Sequence, residues 1–168
     1  MSTTKRSRTF DWEDPRLFVD AMRGISGLEF LQKFTKREMP PPPIGALMGF
    51  NLVEVSPGRA VFAAEPAEFH YNPIGVVHGG LAATLLDSAM GCAVHSMLPA
   101  GVGYTTLEIK VNFVRALTGA TGTVRSEGTV VHMGSRTATA EGRLIDGTGK
   151  LYAHATTTCL VIADQRRT

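Results

Sequence analysis

Through the first forty residues, apolar positions recur at three- and four-residue steps. Leu17, Phe18, Met22 and Ile25 form one series and Leu28, Leu31 and Phe34 a second, which predicts helix from Asp14-Pro15 to about Arg37. Gly24 and Gly27 divide this stretch into two short helices. Pro40 to Pro43 cannot continue a helix and predict a stiff extended linker. Two apolar runs then flank Ser56-Pro57-Gly58-Arg59, the pattern of a hairpin over residues 51–66. The segment EFHYNPIGVVHGG is rich in Pro and Gly and predicts loop.

The period changes again in GLAATLLDSAMGCAVHSML. This stretch is apolar on every side and holds no Lys, Arg or Glu, which predicts a helix buried all round, ended by Pro99-Ala100-Gly101. Period two follows. In 105–115, Thr106, Glu108, Lys110 and Asn112 share one face, and Leu107, Ile109, Val111 and Phe113 the other. Strands are also predicted at 121–132, 136–146 and 150–162, the last reached through the hairpin signal Asp146-Gly147-Thr148-Gly149. Small residues recur on single faces: Ser126 with Gly128, Ala138 with Ala140, and Ala153 with Ala155. Such faces let a sheet close tightly on a helix. The expected class is α+β, one long buried helix wrapped by an antiparallel sheet of five or six strands, with an N-terminal helical extension.

Charge adds an expectation about assembly. Residues 1–43 carry 8 Lys/Arg and 6 Asp/Glu, whereas residues 44–163 carry only 7 and 8. A lone body of that size would expose much surface with few charges on it, so copies of the chain are expected to cover each other. Three segments result: an extension and linker at 1–43, a main domain at 44–163 and a tail at 164–168. Net charge is +2, with the excess at the two ends (Lys5, Arg6, Arg8; Arg166, Arg167), which argues against nucleic-acid binding. No apolar run follows the first basic residues, and Asp87, Ser88, Gly91 and His95 interrupt the most apolar stretch. Neither a secretory signal nor a membrane span is expected. Cys92 and Cys159 stand alone, and His70, His78, His95, His132 and His154 lack ligand spacing. No disulfide framework or metal is implied, and a cytoplasmic location fits.

Two features carry candidate chemistry. Asp87 is the one ionised group on the apolar helix, where a carboxylate serves either as a structural partner of a distant group or as a general base or nucleophile. The run Gly75-Val76-Val77-His78-Gly79-Gly80 opens that helix, where free N–H groups stabilise an anion or a developing oxyanion. Gly79 and Asp87 are eight residues apart, about 12 Å along a helix. They serve one reacting group only if the helix begins with a loose turn, or if they meet across a subunit boundary.

The stretch NPIGVVHGGLAATLLD, from Asn72 to Asp87, resembles the signature of the hotdog-fold acyl-CoA thioesterases of the phenylacetic-acid-degradation (PaaI-like) type. TTLEIKVNFVRAL, MGSRTATAEGRLIDGTGKLYAHATTT and PPPPIGALMGF are similar to that family as well, so the resemblance covers roughly residues 40–163. It implies hydrolysis of a coenzyme A thioester with no metal or bound cofactor, coenzyme A being part of the substrate. Asp87 would be base or nucleophile, the Gly79 N–H would polarise the carbonyl, Asn72 would orient water or thioester, and Thr106 would assist. His78, Gly80 and Ser88 would touch substrate, with Gly134, Ser135 and Arg136 near the nucleotide end. The expected partners are an acyl-CoA, aromatic or medium-chain, and further copies of the chain, most simply a dimer of dimers. Two other activities stay open: a hotdog hydratase or dehydratase using His70 with Asp87, and a non-catalytic acyl-CoA sensor.

Overall fold

The structure, a computed structural model, describes residues 4–162; Arg166, Arg167 and the rest of the expected tail lie outside them. Helix α4, Gly79–His95, organises the rest. The His78 ring caps its first turn, Nδ1 accepting from the Gly80 N–H at 2.8 Å, and Ser96 ends it. Six antiparallel strands wrap it: β1 (Phe50–Ser56), β2 (Arg59–Ala64), β3 (Gly103–Phe113), β4 (Val124–Met133), β5 (Thr137–Asp146) and β6 (Leu151–Ile162). Their order in the sheet is β1-β2-β4-β5-β6-β3, which leaves β1 and β3 at the edges.

The small residues do what their periodicity suggested. Ser126, Ala138, Ala140, Ala153 and Ala155 are all buried on the inner face. At Gly128 the sheet touches the helix backbone: a Cβ there would lie 2.3 Å from the Ala89 carbonyl carbon. Four of the body's charges pair on β1, β2 and β4. There Arg59 bridges Glu54 and Glu127, and Arg125 also reaches Glu54.

Three sequence expectations change. First, α4 is not buried all round. Leu81, Leu85, Leu86, Ala89, Met90 and Val94 are buried, but Ala83, Thr84, Asp87, Ser88 and Cys92 form a half-buried stripe at helical spacing. The sheet curls around the other sides of the helix and leaves this one open. Secondly, strict alternation fails in β3. The pairing with β6 shifts between Thr106 and Glu108, so two residues oppose one, a β-bulge. Leu107 turns outward and is 57% exposed. Thr106 joins Tyr104 on the helix side instead of sharing a face with Glu108. Thr157 holds the bulge, its hydroxyl donating to the Glu108 carbonyl at 2.6 Å. Thirdly, the proline run is not all extended. Pro43 begins helix α3, Pro43–Met48, with Pro42 as its cap. A proline at the first helical position gives up an N–H that would have had no partner, and its φ already suits a helix.

The extension forms α1 (Arg16–Ala21) and α2 (Gly27–Thr35); the expected break falls between them at Gly24, whose φ is 76°, while Gly27 is the first residue of α2 rather than part of the break. The Ser26 hydroxyl accepts from the Glu29 N–H, and the Glu29 carboxylate accepts from the Ser26 N–H at 2.8 Å, a capping box that starts α2. Gly27 abuts the C-terminal end of α4: its N–H donates to the Leu98 carbonyl at 3.0 Å, and a Cβ would sit 1.9 Å from the His95 carbonyl oxygen.

The β5–β6 turn gives a pH prediction. The Thr148 hydroxyl, chiefly, and the Lys150 and Thr148 N–H groups and the Tyr152 hydroxyl pull the Asp146 carboxyl down from the ordinary 3.8 to about 2. A depressed carboxylate stabilises the fold above its unfolded pKa, and this contribution is lost as pH falls from near 4 towards 2. Denaturation midpoints across that window should fall less in Asp146→Asn than in the parent protein.

Candidate active site

Asp87 occupies the open stripe of α4, and the bulge in β3 aims Thr106 at it. The Thr106 hydroxyl donates to Asp87 Oδ1 at 3.0 Å, and Oδ2 carries no hydrogen bond among the described residues. One oxygen is therefore held and the other remains available as a proton acceptor. Both residues border a cavity of about 1180 Å³ whose other walls come from Phe30, Phe34, Phe50 and Tyr104. Phe50 lines it, as its apolar position on β1 suggests; Met48, Met90 and Met97 do not.

Burial shifts the neighbouring titratable groups. Burial, and then the Asp87 charge, push the Cys92 thiol up to about 12, so it is no nucleophile at neutral pH. Burial also pushes the Tyr104 hydroxyl well above its ordinary range and holds the His95 imidazole below its own, which keeps both neutral. Asp87 and, at the rim, Arg37 also border the cavity.

Asn72, His78, Gly79 and Gly80 form a second cluster at the N-terminal end of α4. The Asn72 side-chain oxygen accepts from the Ile74 N–H at 3.0 Å, and its backbone N–H donates to Val76, which folds the loop back. The Gly79 N–H, at the first helical position, has no partner among the described residues. Gly79 lies against the Phe113 ring at the far end of β3, a Cβ there being 3.0 Å from the ring. Thr106 is near the start of that strand, seven residues and about 23 Å away. Within one protomer, then, Asp87 and Thr106 are brought together, Gly79 and Asn72 are brought together, and the two pairs are apart. Ser88 lies beside Asp87 on the half-buried stripe.

Gly134, Ser135 and Arg136 form the β4–β5 hairpin and border neither cluster. Arg136 is exposed and carries no ion pair among the described residues. Arg59 and Arg125 are tied to glutamates, and Arg115 donates to the Leu151 carbonyl and lies over Tyr152. His70 is fully engaged elsewhere: Nδ1 accepts from the Ala67 N–H at 3.0 Å and Nε2 donates to the Met48 carbonyl at 2.9 Å. It cannot share a proton with Asp87 as a hydratase would need. Among the described residues, no group of three or more His, Cys, Asp or Glu could hold a metal.

What sequence reasoning missed is the aromatic wall from the extension. Its signal was present in the spacing of Phe18, Met22, Phe30 and Phe34, but apolar helix positions look the same whether they face a core or a cavity.

The thioesterase superfamily model matches residues 74–153. The chain is 30% identical over 105 residues to the 1,4-dihydroxy-2-naphthoyl-CoA hydrolase of Listeria monocytogenes, covering 62% of this chain and 83% of that protein. A match to a protein of Halobacterium salinarum is 42% identical over 69 residues, spanning 40% of this chain but only 44% of the relative. Among solved structures, a variant of the phenylacetic acid degradation protein PaaI of Thermus thermophilus superposes with a TM-score of 0.64. It is 29% identical and covers 70% of this chain and 97% of that one.

Proposed function

Because the chain belongs to the thioesterase superfamily and has its hotdog fold, we propose that it hydrolyses an acyl-CoA thioester to the free acid and CoA. The observation that carries this reading is the Thr106–Asp87 hydrogen bond at the border of an apolar cavity. Asp87 Oδ2 takes a proton from water as the water oxygen attacks the thioester carbonyl. The C–O bond forms, and negative charge moves to the carbonyl oxygen, where a helix N-terminal N–H stabilises it. Collapse of this intermediate breaks the C–S bond, and the proton on Asp87 passes to the departing sulfur. A thiolate leaves readily, so a lone carboxylate base suffices without a histidine. Direct attack by Asp87 would give the same products through an anhydride. Asn72 orients the water or thioester, and His78, Gly80 and Ser88 contact the substrate. Gly134, Ser135 and Arg136 receive the nucleotide end, where a guanidinium suits a phosphate. No resident cofactor is needed.

The same proposal makes the enzyme a homo-oligomer, a dimer of dimers. β3 is a long edge strand with Leu107 and Phe113 more than half exposed, the kind of edge that pairs with another chain. Two β3 strands paired antiparallel around a two-fold axis would set the Phe113 end of one beside the Thr106 end of the other. Gly79 of the partner subunit would then approach Asp87, which explains why the two groups lie apart in one protomer. Among the described residues, no helix is long and apolar enough to cross a membrane, and a cytoplasmic location completes the reading.

The test is release of free CoA thiol from a panel of acyl-CoAs. Release that depends on Asp87 supports hydrolysis, whereas hydration of an enoyl-CoA without thiol release, or binding without turnover, would refute it. Thr106→Val should lower kcat about tenfold by freeing the carboxylate from a charged hydrogen bond, while Thr106→Ser should stay within a few fold.

A further inference from the structure

We propose that the acyl chain of the substrate lies in the cavity beside Asp87, and that the N-terminal extension is the wall that selects a long apolar acyl group over a short or compact aromatic one. This rests on the thioesterase reading and extends it to the substrate class. The extension precedes residues 74–153, the part that the family model matches.

Four observations carry it. Phe18, Met22, Phe30, Phe34 and Met39 all face the cavity that ends at Asp87 and Thr106. Phe34 stacks on Phe18 with ring centres 6.1 Å apart and meets the edge of Phe30 at 5.2 Å, so the rings form one continuous surface. The wall is fixed to the domain: the capping box starts α2, and Gly27 docks directly on the end of α4. It also closes at its other end. Arg37 adopts a left-handed φ of 60°, with its N–H donating to the Phe34 carbonyl and the Glu38 N–H to that of Lys33. This is the turn that glycine normally makes at a helix end. It swings Met39 and the prolines Pro41 and Pro42 across the cavity.

The chemistry of the space favours a flexible hydrocarbon. About 1180 Å³ exceeds the roughly 300–1,000 Å³ that encloses a typical small ligand. Among its polar lining residues, Arg37, Asn51 and Thr105 are exposed at the rim, whereas Thr35, His95, Tyr104 and Thr106 are half-buried, and Phe30, Leu31 and Phe50 are buried within. Each buried methylene is worth about fourfold in affinity. Met22 and Met39 adapt their shape to a chain.

The test measures CoA release by the full-length protein with acetyl-, phenylacetyl- and decanoyl-CoA, for the parent, Phe34→Ala and Phe18→Ala. The expected kcat/KM for decanoyl-CoA exceeds that for the other two by a hundredfold or more. Both variants should lose about tenfold on decanoyl-CoA, chiefly in KM, and stay within twofold on acetyl-CoA. Phe18 sits on α1, which buries no residue, so Phe18→Ala keeps the test valid if Phe34→Ala fails to fold. Calorimetry of decanoyl-CoA binding to Asp87→Asn, with and without Phe18→Ala, reads the wall without turnover: a tenfold weakening is expected, with binding of free CoA unchanged. No release from any thioester would overturn the hydrolysis reading, and the binding loss would still decide the wall. Equal use of acetyl- and decanoyl-CoA, or unchanged decanoyl-CoA constants in both variants, would overturn the wall and leave hydrolysis standing.

Discussion

Asp87→Asn should lower kcat for thioester hydrolysis by a hundredfold or more, the usual cost of losing a general base, with substrate binding retained. Asparagine keeps the shape and can still accept from the Thr106 hydroxyl, which holds Oδ1 at 3.0 Å. What it loses is the free oxygen that accepts a proton. The Cys92 thiol is pushed up to about 12, His70 has both ring nitrogens engaged, and His95 lies eight residues, about 12 Å, further along α4. The change should therefore fall on kcat rather than KM, and thermal melting should stay close to that of the parent. Single-turnover release of CoA thiol checks this, and near-parental turnover in Asp87→Asn would end the mechanism.

Gly128→Ala should be the most destabilising conservative change in the sheet. The new methyl would lie 2.3 Å from the Ala89 carbonyl carbon and 2.6 Å from the Met90 nitrogen. Both are backbone atoms in the middle of α4, so no side chain can swing away, and either the helix or β4 must move. Overpacking of this kind costs about 3 kcal/mol, or a fall of ~10 °C in Tm for a chain of this length. Gly147→Ala is the control, because nothing lies within 4 Å of its added methyl. Denaturation of the two variants side by side should separate them clearly.

The sequence legibly specified α4, the hairpins and the small inner faces, because those signals are local and periodic. Asp87 stood out for the same reason, as the one charge in an apolar helix. The orientation of Thr106 was not legible. It depends on an extra residue at Leu107, and a bulge is a property of the pairing between β3 and β6, with Thr157 as its clasp, rather than of β3 alone. Helix α3 was hidden by its prolines, since Pro43 is both a helix breaker and a good first residue. The half-buried stripe on α4 was hidden because Ala83, Thr84, Ser88 and Cys92 are small enough to sit in a core or against a second chain. The aromatic wall was hidden because helical spacing shows which side of α2 is apolar, not what that side meets.

The central claim is that one reaction uses Asp87 of one protomer and the Gly79 N–H of another. Co-expression of Asp87→Asn chains and Gly79→Pro chains under different tags tests it most directly. Proline at a first helical position removes the N–H without breaking the helix. Each parent should be nearly inactive alone. Mixed oligomers purified through both tags should recover turnover far above either parent, because each mixed dimer keeps one of its two symmetric sites intact. Mixed oligomers that are folded yet no more active than either parent would contradict the account.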